Sequence, residues 1–183
     1  MKVSKIHTFL STNYLVEQNQ KIVLIDCSCK LNDLVKLTDK IDAIILTHGH
    51  FDHFYTLKQV QEYYKCPVYM HKNAYDKLGN PKLNASDYFN EQIVCNLPQN
   101  SVRFVAEEGE QIIQGLNVTI FYAFGHTNDS ILIAIDGALF VGDFVFKNTY
   151  GRTDLPTGNF KTMQQNLKKY ENILNKYTLF YGH

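Results

Sequence analysis

The stretch Leu46–Phe54, LTHGHFDHF, carries three histidines and an aspartate within six residues. It follows the apolar run IDAIIL, which predicts a buried strand. In an extended segment alternate side chains point the same way, so His48 and His50 share one side and Asp52 continues that phase. His53 breaks this alternation, so its side chain can reach a second position close to the one that His48 and His50 face. Because imidazole nitrogens and carboxylates suit a borderline metal such as zinc, the stretch predicts a metal site at a strand end.

Three further candidate ligands follow apolar runs and stand directly after a glycine. They are His126 after VTIFYAFG, Asp143 after ALFVG and His183 after YTLFYG. Glycine permits tight turns and close backbone approach to a site. We therefore expect several strand ends to deliver these side chains to one rim. The remaining histidines, His7 and His71, lack this context and are interpreted as structural or surface residues.

Elsewhere the chain alternates between predicted strands and helices, which indicates an α/β fold. Helices are predicted at LNDLVKLTDK, FYTLKQVQEYYK and residues 159–176, where Met163, Leu167, Tyr170 and Leu174 form an apolar stripe. Strands are predicted at KVSKIHTF, KIVLID, IDAIIL, PVYM, LNVTIFYAF, SILIAID, ALFV and YTLFY. We expect the first two of these strands to be antiparallel neighbours. Residues 71–100 are mixed, and no repeat or linker divides the 183 residues, so we predict one domain.

Composition narrows the classes of function. Lys+Arg and Asp+Glu are both 18, and the resulting zero charge argues against nucleic acid as a partner. No apolar run approaches the ~20 residues that span a bilayer, and the first residues lack a signal-peptide core. A cytoplasmic protein that acts on a small molecule is expected, and no sequence feature specifies an oligomeric state. The four cysteines lack zinc-hook spacing and are predicted to be free thiols.

The order of the candidate ligands resembles the metallo-β-lactamase superfamily. H-x-H-x-D-H lies at 48–53, G-H-T at 125–127, G-D at 142–143 and G-H at 182–183. The resemblance implies a four-layer αββα sandwich with a metal site along one edge of its sheets. It also implies two divalent metal ions, with zinc expected and iron or manganese as alternatives. The implied ligands are His48, His50 and His126 for the first ion, Asp52, His53 and His183 for the second, and Asp143 bridging both.

The same resemblance implies the reaction. Two metal ions about 3.5–4 Å apart can activate a bridging hydroxide that attacks a carbonyl or phosphoryl centre. Asp52 and Asp143 would partly neutralise the metals and orient the attacking oxygen. No serine or cysteine nucleophile is required.

A second motif, TYGRTDLPTGN at residues 149–159, concerns the substrate. It resembles the G-R-T-D-x-P stretch of small single-domain proteins related to hydroxyacylglutathione hydrolase (glyoxalase II). This resemblance implies hydrolysis of a thioester such as a hydroxyacylglutathione, with Arg152 contacting the glutathione. The alternative is that Arg152 and Asp154 form a salt bridge within the loop.

The chain also departs from that enzyme. It stops at His183, so we expect it to lack the C-terminal helical domain that adds glutathione contacts in full-length glyoxalase II. GHTND and YGH replace the G-H-T-P-G and P-G-H of many relatives, although no ligand is lost.

A different reaction class is the main alternative. Persulfide dioxygenases of the same fold also carry a G-R-T-D stretch, and they would hold a single ferrous iron at His48, His50 and Asp143. Metal content separates the hydrolase from the dioxygenase, since two zinc-like ions favour hydrolysis and one iron favours oxidation. A nuclease is disfavoured by the neutral charge, a β-lactamase by the missing secretion signal, and a non-catalytic module by the intact ligand set.

Overall fold

Two mixed β-sheets stack face to face in the computed structural model, which describes residues 1–183. The first sheet has the strand order β1-β2-β3-β4-β5-β6 and comprises β1 (Lys2–His7), β2 (Thr12–Gln18), β3 (Lys21–Ile25), β4 (Ala43–Ile45), β5 (Val68–Met70) and β6 (Val102–Phe104). The second has the order β13-β10-β9-β8-β7 and comprises β7 (Gly109–Ile113), β8 (Leu116–Tyr122), β9 (Ile131–Ile135), β10 (Ala138–Gly142) and β13 (Thr178–Tyr181). A small hairpin consists of β11 (Val145–Phe146) and β12 (Thr149–Tyr150).

Five α-helices cover the outer faces of the two sheets. They are α1 (Leu31–Leu37), α2 (Phe51–Phe54), α3 (Leu57–Tyr64), α4 (Lys72–Leu78) and α5 (Phe160–Lys176). Single 3₁₀ turns lie at Asp87–Phe89 and Gln99–Ser101. The longest helix, α5, is amphipathic, and no helix combines the length and apolar character that a bilayer-spanning segment needs.

The alternation of side chains along the strands builds three separate cores. In β3, Val23 and Ile25 pack between the sheets, whereas Leu24 faces the helices on the other side. In β9, Ile133 packs between the sheets and Leu132 faces α5. Since successive side chains of a strand point to opposite faces, each sheet needs a cover on both sides. The predicted four-layer αββα sandwich is therefore confirmed.

Helix α5 begins and packs as its apolar stripe predicts. Asn159 caps its first turn by accepting the N–H of Thr162 at 2.9 Å. Met163 and Tyr170 are buried against the second sheet, and the other two stripe residues are partly buried beside them.

The structure corrects several details of the predicted elements. The strands at KVSKIHTF and KIVLID are not neighbours, because β2 lies between β1 and β3 and pairs with both. The predicted helix over FYTLKQVQEYYK is divided between α2 and α3, and the helix predicted over LNDLVKLTDK ends at Leu37. All four cysteines are buried and free, as predicted.

The strand directions bring the candidate ligands to one edge. Strand β13 runs parallel to β10, and β8 runs in the same direction because both are antiparallel to β9. In the first sheet, β3 and β4 are parallel. The carboxyl ends of β8, β10 and β13 therefore lie on one rim, where the backbone of Thr47, just after β4, joins them by accepting the N–H of Ile131 at 2.8 Å.

Candidate metal centre

The structure brings all seven predicted side chains into one cluster at this rim. His50 Nδ1 lies 2.9 Å from His126 Nε2, although 76 residues separate them. His53 Nε2 lies 3.2 Å from Asp143 Oδ1, and His183 Nε2 lies 3.3 Å from Asp143 Oδ2. Asp52 joins the same cluster through its 3.4 Å approach to His183 Nε2.

Three overlapping sets of ligand atoms lie within 4.8 Å of one another. They are His48, His50 and His126; His48, His53 and Asp143; and Asp52, His53 and His183. The first and third sets share no residue, and the second contains one histidine from each of them together with Asp143. The clusters therefore fit a site for two metal ions, with the carboxylate of Asp143 between the two halves.

Unpartnered buried atoms provide a second test of this fit. The Nε2 atoms of His48, His50 and His53 and the Oδ1 atom of Asp143 are buried without a hydrogen-bond partner. Most buried polar groups in proteins are hydrogen-bonded, because an unsatisfied group retains its desolvation cost. Four such atoms in one place form a donor set of nitrogen and oxygen that suits divalent metal ions.

Hydrogen bonds from the opposite ring nitrogens orient three of these imidazoles. His126 Nδ1 donates to the carbonyl of Arg152 at 2.7 Å. His53 Nδ1 donates to Asp26 Oδ2 at 2.8 Å, since a carboxylate only accepts. His48 Nδ1 lies 3.1 Å from the hydroxyl of Thr47. Such bonds set the ring tautomer and turn Nε2 of each ring toward the cluster.

Asp26 is a functional residue that the sequence reasoning missed. Its carboxylate also accepts the backbone N–H and the hydroxyl of Thr47, each at 2.8 Å, so it ties His53 to the segment before His48. A signal was available, because Asp26 ends the apolar run KIVLID and so follows a strand as the other site residues do.

The environment divides the histidines into two electrostatic groups. Burial and then the neighbouring positive charges hold the pKa of His48 and His50 well below its usual range, and burial also lowers the pKa of His126. Burial opposes the charged form of His183 as well, but the hydrogen bonds that its protonated ring donates to Asp143 and Asp52 raise its pKa to about 9. Burial likewise lowers the pKa of His53, but Asp26, Asp143 and Asp52 outweigh it and hold that pKa well above its usual range. The first group is therefore neutral at pH 7, whereas His183 would have to lose a proton before binding a metal ion.

The carboxylate of Asp143 shows the complementary effect. Burial alone would raise its pKa, but the facing His53 and His183 hold the pKa of Asp143 well below its usual range. It is therefore ionised at neutral pH, as a ligand must be.

Arg152 lies at the mouth of the site. It forms the salt bridge with Asp154 that is the alternative to a contact with glutathione. Its Nε and Nη2 donate to the two carboxylate oxygens of Asp154 at 2.8 and 2.6 Å. Its guanidinium also lies over the ring of Tyr88, 5.4 Å from the centroid. Asp154 holds the pKa of Arg152 above its usual value, and the pKa of Asp154 falls to about 2.

A cavity of about 310 Å³ opens over the cluster. Both cluster residues and apolar side chains line it. Its lining residues are His50, Phe51, Asp52, Ala85, Phe89, His126, Asp143, Phe146, Arg152, Leu155 and His183. Arg152 is the only lysine or arginine among them. A small molecule fits such a space.

The model of the metallo-beta-lactamase superfamily matches residues 8–183, which include every residue of the cluster. The chain belongs to this superfamily. Among curated relatives, a protein named probable metallo-hydrolase YqgX from Bacillus subtilis is 32% identical over 139 residues. That match covers 75% of this chain and 65% of the relative.

Two solved structures are similar over the whole chain. The crystal structure of BLEG-1 B3 metallo-beta-lactamase has a TM-score of 0.89 and 25% identity, and 91% of that chain is covered. The structure of TTHA1623 in a di-iron-bound form has a TM-score of 0.85 and 26% identity, with 92% of that chain covered.

Proposed function

We propose that this protein is a binuclear metal-dependent hydrolase that cleaves a thioester of a small molecule. The observation that carries the proposal is the convergence of seven imidazole and carboxylate groups beneath one cavity. The name of the Bacillus relative, a probable metallo-hydrolase, supports the reaction class. The G-R-T-D stretch at 151–154 supports the thioester.

The proposed ligands follow the three clusters. His48, His50 and His126 would hold one ion (the first subsite), Asp52, His53 and His183 the other (the second subsite), and Asp143 would bridge them. When bound, two divalent cations lower the pKa of water and polarise the bond to be cleaved. We propose zinc, although the di-iron form of TTHA1623 shows that a similar chain binds iron.

The protein residues then have separate tasks. Asp143 and Asp52 would supply negative charge next to the cations, and the partly exposed Asp52 would orient the attacking oxygen. The apolar lining residues Phe51, Phe89 and Leu155 would contact the acyl or thiol portion of the substrate.

Metal analysis and a substrate panel on the purified protein test the proposal. We expect about two metal ions per chain and hydrolysis of S-lactoylglutathione or of a neutral thioester. A chromogenic β-lactam belongs in the panel because BLEG-1 is described as a B3 metallo-beta-lactamase. Oxygen consumption with glutathione persulfide and one iron per chain would instead support the dioxygenase alternative. A protein that binds no metal and cleaves no thioester would contradict the proposal.

The proposed role of Arg152 in substrate binding has its own test. If its guanidinium binds a substrate carboxylate, Arg152→Ala should lower kcat/KM for an anionic thioester by about 10- to 150-fold, from the ~1.5–3 kcal/mol of a charged hydrogen bond. The kcat/KM for a neutral thioester should change little in Arg152→Ala, and metal content should stay the same. Arg152→Lys should retain only part of the kcat/KM for the anionic thioester, since lysine lacks the planar guanidinium fork.

Asp154→Ala is the matched control, because Asp154 occupies two donors of the same guanidinium. Substrate binding by Arg152 predicts that Asp154→Ala keeps or improves KM for the anionic thioester. Equal losses in both variants, on both substrates, would mean that the salt bridge only supports the loop.

A further inference from the structure

A buried ion pair lies beside the cluster without belonging to it. Lys77, on α4, donates through Nζ to Asp129 Oδ1, and their side chains are 2% and 0% exposed. Asp129 comes three residues after His126, in the GHTND segment that departs from the pattern of many relatives. Because burying two charges carries a large desolvation cost, packing alone does not account for this pair.

The second carboxylate oxygen of Asp129 reaches the other ligand-bearing loop. Oδ2 accepts the backbone N–H of Gly49 at 2.7 Å, and Gly49 stands between His48 and His50. A Cβ added at Gly49 would lie 2.9 Å from Cδ of Lys77 and 3.0 Å from Oδ2 of Asp129. One carboxylate therefore ties the loop of His48 and His50 to the loop of His126, and glycine leaves the room for it.

Lys77 adds a link to a third loop. Its Nζ also donates to Thr157 Oγ1 at 2.8 Å. Thr157 belongs to the segment in which the carbonyl of Arg152 accepts the Nδ1 proton of His126. The ion pair thus touches every loop that places or orients a ligand of the first subsite. Its hydrogen bonds reach none of Asp52, His53 and His183 of the second subsite.

We propose that Lys77 and Asp129 are positioning residues for the first metal subsite, holding its three histidines at the separation that one ion requires. The proposal rests on the metal site proposed above. It assigns to the pair an effect on metal affinity in the folded protein, beyond any effect on stability.

Two charge-balanced double variants test the proposal. K77M/D129N removes the ion pair but keeps a side-chain oxygen for the N–H of Gly49, whereas K77M/D129L removes both. Each is titrated with Co²⁺ against a competing chelator, and the absorption spectrum of bound Co²⁺ reports its coordination. The single variants His126→Ala and His183→Ala assign the spectral bands to the first and second subsites.

We expect K77M/D129L to bind Co²⁺ at the first subsite about 10- to 100-fold more weakly, the usual effect of losing a residue that orients ligands. K77M/D129N should lose less, and the bands of the second subsite should persist in both variants. If both folded variants matched the parent protein in affinity and spectrum, the pair would be structural only. A parent protein that bound no Co²⁺ would instead overturn the metal site itself.

Thr157 variants decide the question if K77M/D129L does not fold. Thr157→Val removes the second acceptor of Lys77, and Thr157→Ser keeps the hydroxyl. We expect the valine variant to lose several-fold in Co²⁺ affinity at the first subsite and the serine variant to resemble the parent. Equal affinities in the two variants would contradict the proposal.

Discussion

At the scale of single residues, three of the five imidazoles in the cluster are held by the ring nitrogen that faces away from it. Thr47, Asp26 and the carbonyl of Arg152 contact the Nδ1 atoms of His48, His53 and His126. These contacts set tautomer and ring direction before any ligand arrives, so little reorganisation accompanies metal binding.

Asp143 lies between the two halves of the candidate site. Its two oxygens lie 3.2 Å from His53 Nε2 and 3.3 Å from His183 Nε2, and Oδ2 is 3.7 Å from His126 Nε2. We predict that Asp143→Ala lowers metal content at both subsites, whereas His183→Ala lowers it at one. Elemental analysis of the purified variants measures this. Two tightly bound ions in Asp143→Ala would contradict the bridging role.

The pH dependence of stability follows from the two groups of histidines in chelator-treated protein. His48, His50 and His126 have lowered pKa values, so below the ordinary value of 6.5 the unfolded chain binds protons that the folded chain does not. Stability is therefore lost as pH falls below about 6.5. His183 and His53 behave oppositely, since nearby carboxylates raise both pKa values against the effect of burial, that of His183 to about 9. Their contribution to stability disappears as pH rises above 6.5 through these raised pKa values.

We accordingly predict that the metal-free protein is most stable near pH 6.5, as measured by urea unfolding across a pH series. His183→Gln, which cannot titrate at this position, should reduce the alkaline slope, His53 supplying the remainder, and leave the acid side unchanged. A curve that kept its full alkaline slope in this variant would show that other groups cause it.

At the scale of secondary-structure elements, the end of β10 decides where Asp143 points. The pairing register between β10 and β13 shifts between Phe140 and Gly142. Gly142 adopts φ +50°, and its carbonyl accepts the N–H of Gly182 at 2.9 Å. A Cβ there would lie 2.6 Å from Thr47 Oγ1. This irregularity turns the chain toward the cluster at the point where the ligand follows.

We predict that Gly142→Ala destabilises the fold by more than the ~1–2 kcal/mol of a left-handed non-glycine residue and also lowers metal content. Gly137→Ala is the matched control, because Gly137 has φ +82° with no atom within 4 Å of the added Cβ. Gly137→Ala should lower the free energy of unfolding only by the cost of its left-handed backbone, and its metal content should match that of the parent protein. Normal metal content in Gly142→Ala would mean that Asp143 tolerates a shift of the strand end.

At the scale of the whole molecule, the cluster connects the two sheets at one edge. His48 follows β4 in the first sheet, whereas His126, Asp143 and His183 follow strands of the second. Residues from 48 to 183 meet only when both sheets have stacked. A metal ion would therefore bind the folded chain and not the unfolded one, and binding would stabilise the complete sandwich.

We predict that chelation lowers the melting temperature. Ligand at 100 times its Kd stabilises by about 2.7 kcal/mol per site. A domain of this length shifts by about 2–4 °C per kcal/mol, so roughly 5–11 °C is expected for each ion. Re-addition of Zn²⁺ should restore the value in the parent protein but not in Asp143→Ala. An identical melting temperature with and without chelator would contradict metal binding.

The sequence predicted those features of the fold and of the site that depend on local patterns of residues. These features are the apolar stripe of α5, the alternating run of β8, the continuous apolar run of β9, and the position of each candidate ligand after an apolar run. Strand β2 was missed because it is buried on both faces and includes the polar Asn13, so it shows no clear alternation.

The sequence by itself determined which residues stand at strand ends, because side-chain alternation and glycine positions are local properties of the chain. Only the tertiary structure decided that Asp26 orients His53, that Arg152 pairs with Asp154, and that Lys77 reaches Asp129 across 52 residues. The physical reason is that hydrogen bonds and ion pairs depend on distances in space. Those distances are set only after two sheets and five helices have packed together.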